Sequence, residues 1–233
     1  SPLGRASEVC EKIQYLSYQQ YLPDSAEAEM EKGGGKGMNS FFAMMSRMKY
    51  IDRWALMRNS RNENLSEHSL EVSMIAHALA VIGNSSLGKK LDTGKAAVLG
   101  LYHDATEIIT GDMPTPVKYY NKEIRNTYKA IERRASETLL GMLPEKMQDS
   151  YREIFEKQEE DAYLWKLVKA ADKLSAYIKC VEEEQTGNLE FVKAKEQTLI
   201  HIRQMEIPEA DLFLEYFMDA YGKNLDELTG GEP

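Results

Sequence analysis

Residue types with metal-binding chemistry fall on apolar stretches of this chain at four positions: His68, the adjacent pair His103 and Asp104, and Asp172. Two imidazoles and two carboxylates form a mixed nitrogen and oxygen set that suits divalent Zn, Mn, Co, Fe or Ni and serves Ca poorly. Four protein donors on a six-coordinate ion leave room for water and a substrate oxygen. The chemistry implied is hydrolysis, because such an ion acidifies its water and polarises a phosphoryl oxygen. Glu107 stands three residues past Asp104 and four past His103. On a helix that offset puts it on the same face as the pair. A carboxylate that overlooks an ion without binding it is a candidate proton shuttle. A lone His-Asp dipeptide recurs by chance, and His77 and His201 receive no role. The weight lies in the joint occurrence on separate apolar segments.

The elements that must position these groups read as helices. Phe41, Met44, Met45, Met48 and Ile51 recur at spacings of three and four and predict one helix with a buried stripe. Its methionines suit core filling better than metal binding. The stretch from Arg53 to Asn64 is rich in Asn and Ser and is expected to be irregular. Ser66 is the expected N-cap of a helix burying Leu70, Met74, Ile75, Ala78, Leu79 and Ile82 and ending at Gly83, with His68 in its first turn. Thr93 is the expected cap of the next, which carries Ala96, Val98, Leu101, His103 and Asp104 and ends at Gly111. The prolines at 114 and 116 exclude helix just beyond, so Asp112 sits in the loop leaving the site. Helices are further expected over 122–142, 145–157, 162–181, 189–204 and 211–221. On the 162–181 helix, Asp172 lies next to the apolar stripe, beside Ala171, where an unpaired carboxylate is costly, and no Arg of that helix is near it. No stretch alternates as a strand and no repeat is present, so the class is all-α, a single helical bundle with a metal site between helices.

With 233 residues the chain can bury a full core. Its net charge of -9 excludes a general binder of nucleic-acid polymers, which needs a basic footprint, but allows a small phosphorylated ligand held by a local cluster. No apolar run is long enough to span a bilayer, and no secretory signal opens the chain. Cys10 and Cys180 are too few for a disulfide framework, so a cytoplasmic setting is expected. Residues 1–37 differ from the rest. The run from Glu31 to Gly37 is Gly- and Lys-rich and directly precedes Met38. Purine-rich codons would encode it, as they would a bacterial ribosome-binding site ahead of a start codon. Met38 is therefore the expected natural start, with 1–37 cloning-derived, translated upstream sequence or a genuine extension, and 38–233 one domain.

The order His68, His103-Asp104, Asp172 in a helical chain resembles the HD-domain metal-dependent phosphohydrolases. The flanks resemble more closely the bacterial YfbR-like 5'-deoxynucleotidases: Arg53-Trp54, Glu63-Asn64, Ser66 to Ser69, Tyr102 to Ala105, Thr110-Gly111-Asp112, Pro114 to Tyr119, and Ala171-Asp172. What the resemblance implies is one divalent transition metal on His68, His103, Asp104 and Asp172. It implies Glu107 as the group that orients or deprotonates water, and Asp112 as an aspartate touching substrate or its leaving oxygen. It implies Arg53 on the 5'-phosphate, Trp54 against the sugar, a deoxyribonucleoside 5'-monophosphate as substrate, and a homodimer. Independently, a guanidinium such as Arg53 can hold two phosphate oxygens at once. By composition Trp54 suits the core as well as a sugar platform, and its place beside Arg53 favours the second. Lys118 could reach phosphate, while Arg58 and Arg61 read equally as surface charges. Two alternatives stay open: another phosphoester (a nucleoside triphosphate, a cyclic nucleotide or an alarmone), or a sensor that binds nucleotides without catalysis.

Overall fold

A computed structural model describes residues 38–118 and 120–230; the expectations for 1–37 lie outside the described residues. In chain order the helices are α1 (Phe41–Met45), α2 (Leu65–Ser86), α3 (Thr93–Tyr102), α4 (Glu107–Thr110), α5 (Thr115–Lys118), α6 (Lys122–Gly141), α7 (Glu145–Phe155), α8 (Ala162–Gln185), α9 (Val192–Gln204), α10 (Pro208–Phe217) and α11 (Leu225–Leu228). Short 3-10 turns follow α1 at Ser46–Tyr50, precede α9 at Leu189–Phe191 and follow α10 at Met218–Gly222. Among the described residues there is no strand, only one isolated antiparallel bridge between Asp52 and Asn64. The all-α expectation holds.

The chain forms two compact units. One takes the described residues up to Met48 together with Ala105–Tyr151; the other takes Lys49–Asp104 and the chain from Arg152 onward. In the first unit, Phe41 is buried edge-on against Phe42 and Tyr151, and α6 buries Tyr128, Ala135, Leu139 and Leu140. The second unit holds the large core, where Val72, Leu79, Leu99, Leu167, Leu174, Ile178 and Phe213 from α2, α3, α8 and α10 pack together.

Several local expectations are corrected. The first helix divides after Met45 into an α and a 3-10 segment, and of its stripe only Phe41 and Met48 are buried. The cap of α2 is Asn64, whose side-chain oxygen accepts from the backbone N–H of Ser66 and Glu67, not Ser66 itself. Asp92, accepting from Lys95 N, caps α3 in place of Thr93. On α2 the buried face runs through Leu65, His68, Ser69, Val72, Ile75, Ala76, Leu79, Ala80 and Gly83, while Leu70 and Met74 are 55% and 59% exposed. The reason is the close approach of α3. A Cβ on Gly100 would lie 2.9 Å from Ser73 Cα, and Ser73 Oγ donates to Ala97 O at 2.8 Å, so small residues carry the burial there. The helix of His103 also stops sooner than expected, at Tyr102; a turn over 103–106 precedes α4. Gly111 does end α4, with φ 73° that suits glycine. A short α5 forms across Thr115–Lys118, contrary to expectation, because Pro116 falls in its first turn, where a missing N–H costs nothing.

Candidate metal centre

The second unit brings His68, His103, Asp104 and Asp172 together: one donor atom from each lies within 4.8 Å of all the others. α2 supplies His68 from its first turn, the end of α3 supplies His103 and Asp104, and α8 supplies Asp172 from its middle. His103 Nδ1 lies 2.7 Å from Gly100 O, and His68 Nδ1 lies 3.0 Å from Ser175 Oγ. Gly100 O can only accept, which puts the His103 proton on Nδ1, and Ser175 Oγ spends its own proton on Glu71, which leaves it to accept from His68 Nδ1; both Nε2 lone pairs then turn toward the cluster. Both Nε2 atoms are buried without a hydrogen bond of good geometry. Yet His103 Nε2 is 3.0 Å from Asp104 Oδ2, and His68 Nε2 is 3.3 Å from Asp172 Oδ1. Lone pairs facing carboxylate oxygens repel each other, and a cation among them removes that repulsion. The donor set therefore fits a divalent metal by its own chemistry.

The carboxylates are held ionised. Without a cation among the donors, His103 itself takes up a proton: burial pushes the Asp104 carboxyl up, but the positive charge on His103 beside it, and then His68, outweigh burial and bring it to about 2. Asp172 is likewise pushed up by burial and brought well below the usual range by His68 and Lys173. Lys173 Nζ donates to Asp172 Oδ2 at 2.9 Å, which leaves Oδ1 toward the histidines. The cation that Asp172 needs is thus its own chain neighbour, in addition to Arg53. For His103, burial lowers the pKa, and Asp104 and Asp172 raise it by more.

Arg53 comes to the same place from the irregular segment before α2. Its Nη1 is 3.6 Å from Asp104 Oδ2 and its Nη2 4.0 Å from Asp172 Oδ1, while Nε donates to Glu63 Oε1 at 3.1 Å. Trp54 is half-buried, its ring 5.4 Å from that of Phe191 and its Nε1 donating to Glu63 Oε2 at 3.2 Å. Its backbone is left-handed, φ 57°, rare for a bulky residue, and its carbonyl accepts from Met57 N and Asn59 Nδ2. Arg58 and Arg61 are surface charges paired with Glu190 and Glu67.

The remaining candidates lie in the first unit. Glu107 opens α4 and is 6% exposed. Asp112 follows Gly111 in the loop after α4 and is partly exposed. Lys118 donates to Glu132 at 2.9 Å and lies over the Tyr128 ring at 4.6 Å; burial lowers its pKa, but Glu132 raises it further and keeps it charged.

Sequence reasoning missed the groups behind the cluster. Ser175 hydrogen-bonds both His68 and Glu71, and Lys179 pairs with the buried Glu183. With Asp172 these residues recur at intervals of three and four along α8, a polar stripe on a helix whose other face is core. That periodicity was the available signal.

A model of YfbR-like 5'-deoxynucleotidases matches residues 40–221. The chain belongs to the YfbR-like 5'-deoxynucleotidase family. A 5'-deoxynucleotidase of Vibrio vulnificus is 47% identical over 189 residues, 81% of this chain and 97% of its own. The Escherichia coli 5'-deoxynucleotidase YfbR is 46% identical over 193 residues, 83% and 97% respectively. Among solved structures, an HD-domain phosphohydrolase of Listeria innocua is similar in fold, with TM-score 0.68 at 23% identity over 82% of this chain and 95% of its own. The cyanophage S-2L HD phosphohydrolase, solved bound to dA and one catalytic Zn2+ ion, has TM-score 0.54 at 17% identity over 78% and 96%. The helical architecture of this YfbR-like chain is that of the HD fold, and its four clustered donors come from two helices, α2 and α8, and from the turn after α3, all in one unit.

Proposed function

We propose that this chain is a phosphomonoester hydrolase that converts deoxyribonucleoside 5'-monophosphates to deoxyribonucleosides and phosphate with one divalent transition metal, Co, Mn, Zn, Fe or Ni. The observation that carries the reading is the convergence of one donor atom from each of two imidazoles and two carboxylates within 4.8 Å, with the Arg53 guanidinium against both carboxylates. Its relatives are named for this activity. His68, His103, Asp104 and Asp172 would hold the ion, which supplies water acidified near neutral pH and a polarised phosphoryl oxygen.

The chain's own residues do the rest. Arg53 neutralises phosphate charge, which is most of what phosphoryl transfer asks of a protein. Trp54 packs the sugar, where crowding near the 2' position favours deoxyribose. Glu107 takes the proton of the attacking water, a role supported by its burial at the start of α4; the turn over 103–106 removes the helical offset from Asp104 that the sequence suggests. Asp112 contacts the substrate near its leaving oxygen. Lys118 reaches phosphate only by exchanging Glu132 for it. The enzyme works as a homodimer in the cytoplasm. Leu70, Met74 and Val81, exposed along one line of α2, support the first, and the buried, unpaired Cys180 supports the second. Among the described residues no helix is long and apolar enough to cross a membrane.

Phosphate release from deoxy- and ribonucleoside 5'-monophosphates, run side by side with Mn, Co and Zn, tests the reading. Deoxy substrates are expected to turn over and ribo substrates far less. Equal turnover of both sugars would remove Trp54's assigned role. Release only from triphosphates, cyclic nucleotides or alarmones would move the substrate class, and no release from any of them with any metal would leave a nucleotide-binding sensor.

A further inference from the structure

Among the described residues, Glu63 is the one acidic side chain that joins the loop before α2 to the metal cluster at several points. Its Oε1 accepts from Arg53 Nε at 3.1 Å and lies 3.3 Å from His68 Nδ1, and its Oε2 accepts from Trp54 Nε1 at 3.2 Å. Its backbone carbonyl accepts from Arg53 N at 2.9 Å, and its neighbour Asn64 bridges to Asp52. A single carboxylate, 14% exposed, therefore fixes the Nε edge of Arg53, the edge of the Trp54 indole and the Nδ1 side of a metal-cluster histidine. With its Nε edge taken, the guanidinium presents both terminal nitrogens toward Asp104 and Asp172, where phosphate would meet the ion. Trp54 has more that must be held, because its left-handed backbone is costly for a bulky side chain and persists only where surrounding contacts dictate it.

We infer that Glu63 is a positioning residue for substrate, one carboxylate that sets Arg53 and Trp54 in the arrangement that receives the phosphate and its sugar. The inference rests on the activity proposed above. It makes Glu63 neither a metal ligand nor a proton carrier: its oxygens face nitrogen donors, and its work is done through the two residues it holds. Removing its charge while keeping its shape should cost binding of substrate more than the chemical step, since interactions common to ground and transition states appear in KM.

The test is Glu63→Gln in the full chain, with three readouts. Metal content after loading with Mn is expected to equal wild type. KM for a deoxyribonucleoside 5'-monophosphate is expected to rise about tenfold with kcat within about threefold, the pattern of lost uniform binding. The chain has two tryptophans, Trp54 and Trp165, so its proton–nitrogen spectrum has two indole signals, assigned with Trp54→Phe. The Trp54 signal should shift in Glu63→Gln, with and without metal, while that of Trp165 stays. A double-mutant cycle adds specificity: on the Arg53→Ala background Glu63→Gln should raise KM by less than about threefold, because coupled residues are not additive. An unmoved Trp54 signal, or the same tenfold loss on both backgrounds, overturns the inference. If Glu63→Gln does not fold, Glu63→Asp, which withdraws the charge by one methylene, takes its place, and wild-type KM and indole signal there overturn it as well. The indole signal and metal content need no turnover. A wild-type chain inactive on every nucleotide would therefore sink the proposed activity, while the positioning role would stand or fall on the signal alone.

Discussion

What a side chain does at this centre depends on which of its atoms are already engaged. The two histidines show it: with Nδ1 committed to Ser175 Oγ and Gly100 O, only Nε2 remains to face the carboxylates. Asp172 has one oxygen on Lys173 and the other toward the cluster. Glu107 is different, being buried at the start of α4 and not one of the four clustered donors. Under the activity proposed above, its work is proton transfer. Glu107→Ala should therefore retain its metal and bind substrate with near-wild-type affinity while turnover falls about 100-fold or more, the range that a positioned acid or base contributes. Asp104→Ala should lose metal and turnover together. Metal analysis, calorimetric binding and steady-state rates on the two variants separate these outcomes; wild-type turnover in Glu107→Ala would end its assigned role.

At the level of elements, the site depends on a loop and three helices being tied to one another. The loop from Arg53 to Asn64 has little apolar content, and α8 fastens it through Glu183. That buried carboxylate accepts from Ser60 N at 2.9 Å, from Asn188 Nδ2 at 2.7 Å and from Lys179 Nζ, and Lys179 Nζ also reaches Arg61 O at 2.6 Å. Burial pushes Glu183 up, but the Lys179 ammonium and the backbone N–H of Ser60 win and bring it from the ordinary 4.5 to about 2. A carboxyl depressed on folding stabilises the protein above its unfolded pKa, and that stabilisation fades as pH falls through its folded one. Glu183→Gln should thus melt below wild type at pH 7, and the gap should close between about pH 4.5 and 2. Melting curves of both proteins across that range check it; a gap constant with pH would refute the assignment. The α8 half of this clamp left a mark in the polar stripe that runs on to Lys179 and Glu183, but the loop half did not, because a carboxylate that collects backbone N–H groups from a distant loop leaves no periodic mark at the loop. Helices were legible where one face is much more apolar than the other, as in α8. They were misread where size misled, as on α2, whose buried side relies on Ala76, Ala80 and Gly83 while Leu70 and Met74 face outward. The donor set was legible because His, His-Asp and Asp stand out against apolar helices. The stop of α3 at Tyr102 was not, since no Gly or Pro follows it before Gly111.

For the molecule as a whole, the four donors come from chain segments far apart in sequence, at 68, 103–104 and 172, and all lie in the unit that holds the large core. An ion bound there exists only when that unit is folded, so binding free energy becomes folding free energy. Both tryptophans, Trp54 and Trp165, belong to the same unit, which makes their fluorescence a reporter of its melting. Metal at one hundred times its dissociation constant adds about 2.7 kcal/mol to the folded state. At about 2–4 °C per kcal/mol for a chain of this size, that predicts a rise of roughly 5–10 °C in the fluorescence midpoint of chelator-stripped protein when Mn, Co or Zn is restored. Asp104→Ala should show no rise with any of the three, because a charged donor is gone and the two imidazoles and Asp172 that remain hold the ion too weakly. Glu107→Ala should shift as wild type does, since its carboxylate is outside the donor set. An equal shift in Asp104→Ala would mean that the ion binds elsewhere. No shift in wild type would mean that these four residues, despite their geometry, hold no ion tightly enough to matter for folding.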